Sequence, residues 1–188
     1  MAAHPRIKVL LYGDEADIHL NPHLTRGWYL RGAPRRVPAA GTNQKRAVFG
    51  ALNAQTGRLL VQTAPQKSGA LFVLFLQSLL RAHPGKHVYL VLDHGPIHEA
   101  HIVAEFLRKH RRRLTILWLP KYSPNFNLIE RVWGYLKRSA LANIFYGTVG
   151  RLIVALARAV RAFNDARNLV LKLLFARHPP SPCQRRAA

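Results

Sequence analysis

Leu114-Thr-Ile-Leu-Trp-Leu-Pro120, followed by Lys121-Tyr-Ser-Pro-Asn-Phe-Asn-Leu-Ile-Glu-Arg-Val-Trp-Gly-Tyr-Leu-Lys137, reads as an apolar strand that turns into a helix with one carboxylate, Glu130. Ser123-Pro124 can open that helix, with Ser as N-cap and Pro at the first helical position, where its missing N–H costs nothing. The helix can also open at Asn127, making Asn127-x-x-Glu130 resemble a capping box. Ile129, Val132, Trp133, Leu136 and Ala140 then form a single apolar stripe. Glu130 lies at the edge of that stripe, where a carboxylate faces a cleft rather than the core.

Two more carboxylates stand where apolar strands end. Asp14 follows Ile7-Lys-Val-Leu-Leu-Tyr-Gly13, and Asp93 closes Val88-Tyr-Leu-Val-Leu-Asp93. The chain has only 8 acidic residues against 29 lysines and arginines, a formal net charge of +21. Acidic residues kept at three such places in so basic a chain point to a use. Taken singly, each has a plainer reading: Asp14 and Asp93 as turn residues, Glu130 as the partner of Asn127.

The set Tyr12-Gly-Asp-Glu15, Val91-Leu-Asp-His-Gly-Pro-Ile-His98 and Leu119 through Trp133 resembles the DDE catalytic domain of mariner-related bacterial insertion-sequence transposases. The last motif carries most of the specificity, with 36 residues, 94 through 129, between Asp93 and Glu130. The resemblance spans about residues 6 to 165. His94, where the family usually has Asn, and Leu128, where it often has Pro, depart from the pattern. By position, the resemblance implies that Asp14, Asp93 and Glu130 are catalytic and hold metal, two Mg2+ or Mn2+ ions. It implies a ribonuclease H-like fold with the first and fourth strands side by side at the centre. It also implies cut-and-paste movement into a TA target. A His is often found in the family where His98 stands, which implies an accessory place near the site or a phosphate; a packing His is the alternative. Glu15 and Asp17 are the neighbours most easily confused with Asp14, and alternation sends Glu15 to the other side of the strand.

Composition bounds the rest. A chain of 188 residues suits one domain with a sizeable core. The basic surplus calls for a polyanion, and double-stranded DNA is the expected partner. The lone Cys183 excludes an internal disulfide and a cysteine zinc site, and the 10 histidines are scattered, with no His-x3-His or Cys-His cluster on an expected helix. No apolar run approaches the ~20 residues of a membrane span, and the start lacks a secretion signal. The expected location is cytoplasmic, with the nucleoid.

In chain order the expectation is a strand at 7–12 and an irregular stretch at 17–44, with Trp28-Tyr29-Leu30 as a short strand inside it. A hairpin of Ala47–Leu52 and Arg58–Thr63 follows, then a helix from Gly69 to Ala82 capped by Ser68. Next come a strand at 88–92, a helix from Ile97 to Arg111, the strand and helix quoted above, and a helix capped by Thr148. This order gives an α/β fold with a mixed five-stranded sheet covered by helices on both faces. Residues 1–176 form the DDE domain, and 177–188 read as a disordered basic tail. The first strand lies within ten residues of Met1, which leaves no room for a helix-turn-helix module; a separately encoded reader is expected, with a homo-oligomer as the active form. Candidate DNA contacts are Arg35, Arg36, Lys45, Lys121, Arg131, Lys137 and Arg138.

Phosphodiester chemistry explains the residue types. Two carboxylates about 4 Å apart repel by ~4 kcal/mol at an effective dielectric of 20, so such a cluster calls for a cation. Two divalent ions can activate the attacking nucleophile and stabilise the leaving oxygen. The reading is a transposase catalytic domain that hydrolyses DNA at transposon ends, after which the freed 3′-hydroxyl attacks target DNA. A nuclease of the same fold, or an inactive remnant that only binds nucleic acid, is the alternative.

Overall fold

A computed structural model describes residues 8–33, 36–120, 126–166 and Leu174. Strands β1 (Lys8–His19), β2 (Lys45–Asn53), β3 (Leu59–Ala64), β4 (His87–Leu92) and β5 (Leu114–Trp118) form one sheet in the order β3-β2-β1-β4-β5. β1–β2 and β2–β3 are antiparallel; β1–β4 and β4–β5 are parallel. The mixed sheet, with β1 and β4 adjacent at its centre, is the expected architecture.

Alternation along the strands supplies two cores. Val9, Leu11, Phe49, Val88 and Leu90 face the helices α1 (Gly69–Ala82) and α2 (His101–His110). Ala16, Ile18, Val48 and Leu52 face α3 (Ile129–Tyr135), the π-helical turn Leu136–Ala140 and α4 (Val149–Asp165). Ser68 and Thr148 cap α1 and α4 through hydrogen bonds to the amides of Leu71 and Arg151, each satisfying an otherwise orphan donor. The α3 stripe is buried at Ile129, Val132, Trp133 and Leu136.

Several local expectations are corrected. β1 does not end at Tyr12: it pairs with β2 from Leu11 to His19, so Asp14, Glu15 and Asp17 lie inside a strand. Trp28-Tyr29-Leu30 forms no strand, and Trp28 is fully exposed. The long loop is instead pinned at its base, where the Leu20 amide donates to the Gln44 carbonyl. The Thr25 amide likewise donates to Asn143 Oδ1. α2 starts at His101 rather than Ile97, because the chain from Pro96 to Ala100 is turn and bend. Ser123-Pro124 and most of the segment 166–176 lie outside the described residues, as does the tail.

One contact sets how closely α3 approaches the sheet. A Cβ added to Gly50 would lie 2.5 Å from Trp133 Cζ2 and 3.0 Å from Ile129 Cδ1. Gly50→Ala is therefore expected to cost about 1–3 kcal/mol through overpacking. At about 2–4 °C per kcal/mol for a chain of this size, the thermal midpoint falls measurably. An unchanged midpoint would show that α3 shifts freely.

Candidate active site where β1 and β4 part

Asp14 pairs across the sheet with Gly50 and so points to the face that α3 covers. Asn127 reaches across from just before α3, its Nδ2 donating to the Gly13 carbonyl at 2.9 Å within the protein. That bond fastens the start of α3 to the residue before Asp14. Glu130 sits one residue past the packed Ile129, exposed in the first turn of α3. Asn127 is thus a tertiary fastener and not a capping-box residue: Leu128 occupies the N-cap, without a side-chain cap. The parallel β1–β4 register ends at Tyr12↔Val91, and Asp14 and Asp93 each lie two residues further on.

The charges of Glu130 and Asp93 both bear on Asp14. Asp14 is half-buried, and its carboxyl is pushed up from 3.8 to about 8. Burial is the main cause, followed by the charge of Glu130 and that of Glu15, with Asp93 adding to them; the Glu15 backbone amide pulls the other way. The folded state therefore favours the protonated carboxyl. Stability linked to Asp14 is fully present below pH 3.8 and is lost as pH rises through about 8. In metal-free buffer, Asp14→Asn is expected to remove that loss and raise the thermal midpoint by several degrees at pH 8–9. The two proteins should converge near pH 4. A variant that melts below the wild type at pH 9 would show that Asp14 is not electrostatically burdened.

Glu15 faces the other side, as alternation predicts, and there it meets His98. The His98 side chain is buried; its Nε2 lies 2.5 Å from Glu15 Oε1 and its Nδ1 3.0 Å from the Asp93 carbonyl oxygen. The carbonyl only accepts, and a carboxylate does too, so both ring nitrogens donate. Burial pulls the His98 pKa down, but the hydrogen bond and charge of Glu15, with Asp93 behind them, outweigh it and raise it. Phe72 packs on the ring at 4.6 Å between centroids. Among the described residues, Glu15, Asp93 and His98 also offer ligand atoms within 4.8 Å of one another. On the exposed side of Asp93, His94 stacks on Trp118 at 5.0 Å, with Nδ1 3.4 Å from Glu99.

Asp14 and Glu130 line a cleft of about 600 Å³, whose wall includes Lys67, Trp133, Lys137 and Tyr146. Lys67 was not among the residues anticipated from sequence. It stands in the β3–α1 connection, with Nζ 3.4 Å from the Glu15 carbonyl and 4.0 Å from an Asp17 carboxylate oxygen. Of the anticipated cations, Lys137 lines the cleft, and Arg36 and Arg138 are exposed. Lys45 pairs with Asp17 at 3.2 Å, and Arg131 donates to the Leu174 carbonyl. Arg35 and Lys121 lie outside the described residues.

Comparison with known proteins fits this arrangement. Residues 9–153 match the model of a family described as DDE superfamily endonuclease. A curated relative, the insertion element IS630 uncharacterized 39 kDa protein of Shigella sonnei, is 35% identical over 143 residues, covering 76% of this chain and 40% of that protein. The fold is similar to that of the mariner Mos1 paired end complex with Mg, at a TM-score of 0.66 and 18% identity, over 88% of this chain and 52% of that one. It is also similar to a simian T-cell lymphotropic virus intasome in complex with PP2A regulatory subunit B56 gamma, at a TM-score of 0.61 and 14% identity, over 96% of this chain and 59% of that one. These structural likenesses establish a shared fold. The chain spans 40% of the length of its curated relative. The family match takes in the strand of Asp14, the end of β4 at Asp93 and the helix of Glu130, and the chain belongs to the DDE superfamily endonuclease family.

Proposed function

We propose that this chain is the catalytic domain of a transposase, in which Asp14, Asp93 and Glu130 would hold divalent cations for DNA strand cleavage and for strand transfer, in which the freed 3′-hydroxyl attacks a target phosphodiester and the target strand's 3′-oxygen leaves. The observation that carries the reading is the family match over residues 9–153, which takes in all three carboxylates, together with the cleft that Asp14 and Glu130 line, where the charges of Glu130, Glu15 and Asp93 bear on the half-buried Asp14. A group of anionic oxygens with this mutual repulsion fits a hard cation that prefers carboxylate and phosphate oxygens. Mg2+ and Mn2+ both meet that description. Bound there, such ions supply nucleophile activation and charge stabilisation at the phosphorus. The chain's own groups do the rest. Asn127 holds the Glu130 helix to the Asp14 strand, and Lys137 and Lys67 put positive charge on the cleft wall where a phosphate would lie.

Double-stranded DNA, as transposon end and as target, is the proposed substrate, supported by the net charge of +21. The Mos1 structures of similar fold are paired-end and strand-transfer complexes of that protein, which supports assembly of more than one copy on DNA here. A helix-turn-helix reader of the transposon ends is part of the proposal only as what the family resemblance implies.

The test is a plasmid assay with Mg2+ or Mn2+ as the only divalent ion. Cleavage followed by covalent joining of a labelled 3′-end to a second duplex supports the transposase reading. Cleavage without joining favours a nuclease of the same fold. Binding without cleavage in either metal would leave only a nucleic-acid-binding role.

A further inference from the structure

We infer that His98 is a positioning residue whose buried imidazole clamps the Glu15 carboxylate of β1 to the backbone of Asp93 after β4, and so fixes Asp14 and Asp93 beside one another. The inference rests on the proposed role of Asp14, Asp93 and Glu130 as cation-holding residues.

The sheet stops joining the two central strands before it reaches the carboxylates. The β1–β4 ladder ends at Tyr12↔Val91, so Asp14 and Asp93 lie beyond the last pair that holds the two central strands together. β1 continues, but from there it is paired only with β2, on its other side. At the point where the strands part, the imidazole takes over the function of the missing ladder bonds. One nitrogen meets Glu15 at 2.5 Å and the other meets the Asp93 carbonyl at 3.0 Å.

Adjacent residues of an extended strand point to opposite faces. Asp14 therefore faces the cleft and Glu15 faces the α1–α2 side, so a hold on Glu15 fixes the backbone of Asp14 from behind. The clamp is itself held firmly. The His98 side chain is 1% exposed, Phe72 packs against the ring, and the His98 amide donates to the Gly95 carbonyl at 2.9 Å. Buried this deeply, His98 touches no substrate; it acts only through the two residues it joins. Hydrogen-bonding partners behind metal ligands commonly govern affinity in this way.

The experiment measures Mn2+ affinity of the full chain by titration followed by electron paramagnetic resonance, with circular dichroism to establish folding. His98→Ala is expected to weaken Mn2+ binding about 10–100-fold, the usual cost of removing such a partner. Glu15→Gln should weaken it in the same direction. The double variant Glu15→Ala/His98→Ala should be no weaker than His98→Ala within about twofold, because both changes break one link; two independent packing defects would multiply instead. A folded His98→Ala within about twofold of wild type overturns the inference. If His98→Ala does not fold, the isosteric Glu15→Gln decides, and unchanged affinity there overturns it equally.

Asp14→Asn separates this inference from the reading beneath it. Mn2+ binding lost in Asp14→Asn but kept in His98→Ala sinks the clamp alone. Binding kept in Asp14→Asn but abolished in His98→Ala would place the ion on Glu15, Asp93 and His98 themselves, and sinks both. Binding indifferent to both substitutions does the same.

Discussion

Asp14→Asn, Asp93→Asn and Glu130→Gln are each expected to reduce Mg2+- or Mn2+-dependent DNA cleavage at least about a thousandfold, about 4 kcal/mol of transition-state stabilisation. DNA affinity should stay within about twofold. Each substitution keeps the shape of the side chain and removes an anionic oxygen that a divalent ion needs. Asp14 is the most sensitive position, because it is half-buried among the others' charges and a neutral amide there ends the attraction for a cation. Glu130 is exposed in the first turn of α3, so Glu130→Gln leaves the packing of Ile129 and Trp133 intact and isolates the charge effect. Glu105→Gln, an exposed carboxylate on α2, serves as the control and should cleave like the wild type. Plasmid nicking at saturating DNA, paired with anisotropy for binding, separates the two effects. Any one of the three variants retaining a tenth of wild-type cleavage would remove that residue from the site.

Much of this site was legible in the sequence because strand alternation and helix stripes are local codes. The stripe Ile129, Val132, Trp133 and Leu136 placed α3 against the sheet, and its neighbour Glu130 fell at the rim as expected. The exit of β4 at Asp93 was equally plain, since the apolar run stops there. The full length of β1 is not legible locally, because Gly13-Asp14-Glu15 interrupts its apolar run. Its continuation depends on pairing with β2, whose residues lie more than twenty positions away. The role of Asn127 is hidden for a related reason. A capping rule weighs only the next three residues, whereas its side chain bonds to Gly13, 114 positions earlier. The partnership of Glu15 with His98 had half a signal: alternation gave the face, but nothing local announced what would meet it 83 residues on.

Binding of duplex DNA is expected to weaken about a thousandfold between 50 and 200 mM salt, with little dependence on sequence. That figure follows if about six phosphates are neutralised, since log affinity then falls against log salt by about 0.9 per phosphate. Six is far fewer than the 29 basic side chains, because the fold employs several of them internally. Arg113 donates to the carbonyls of Leu80 and His83, and Arg131 to that of Leu174. Lys45 is drawn to Asp17. Arg36, Arg138 and the α2 end at Arg108 and Lys109 remain exposed, and Lys137 lines the cleft beside Asp14 and Glu130. Lys137→Ala should therefore lower the slope by about 0.9, the loss of one phosphate contact. Arg113→Lys should leave the slope unchanged and lower stability instead, because one guanidinium nitrogen, Nη2, donates to both carbonyls and a flexible ammonium stem does not hold a donor in that fixed position. Fluorescence anisotropy on a random duplex over that salt range measures both. A flat dependence for the wild type would mean that the positive charge serves a partner other than nucleic acid. A Lys137→Ala slope equal to that of the wild type would place the bound phosphates away from the cleft.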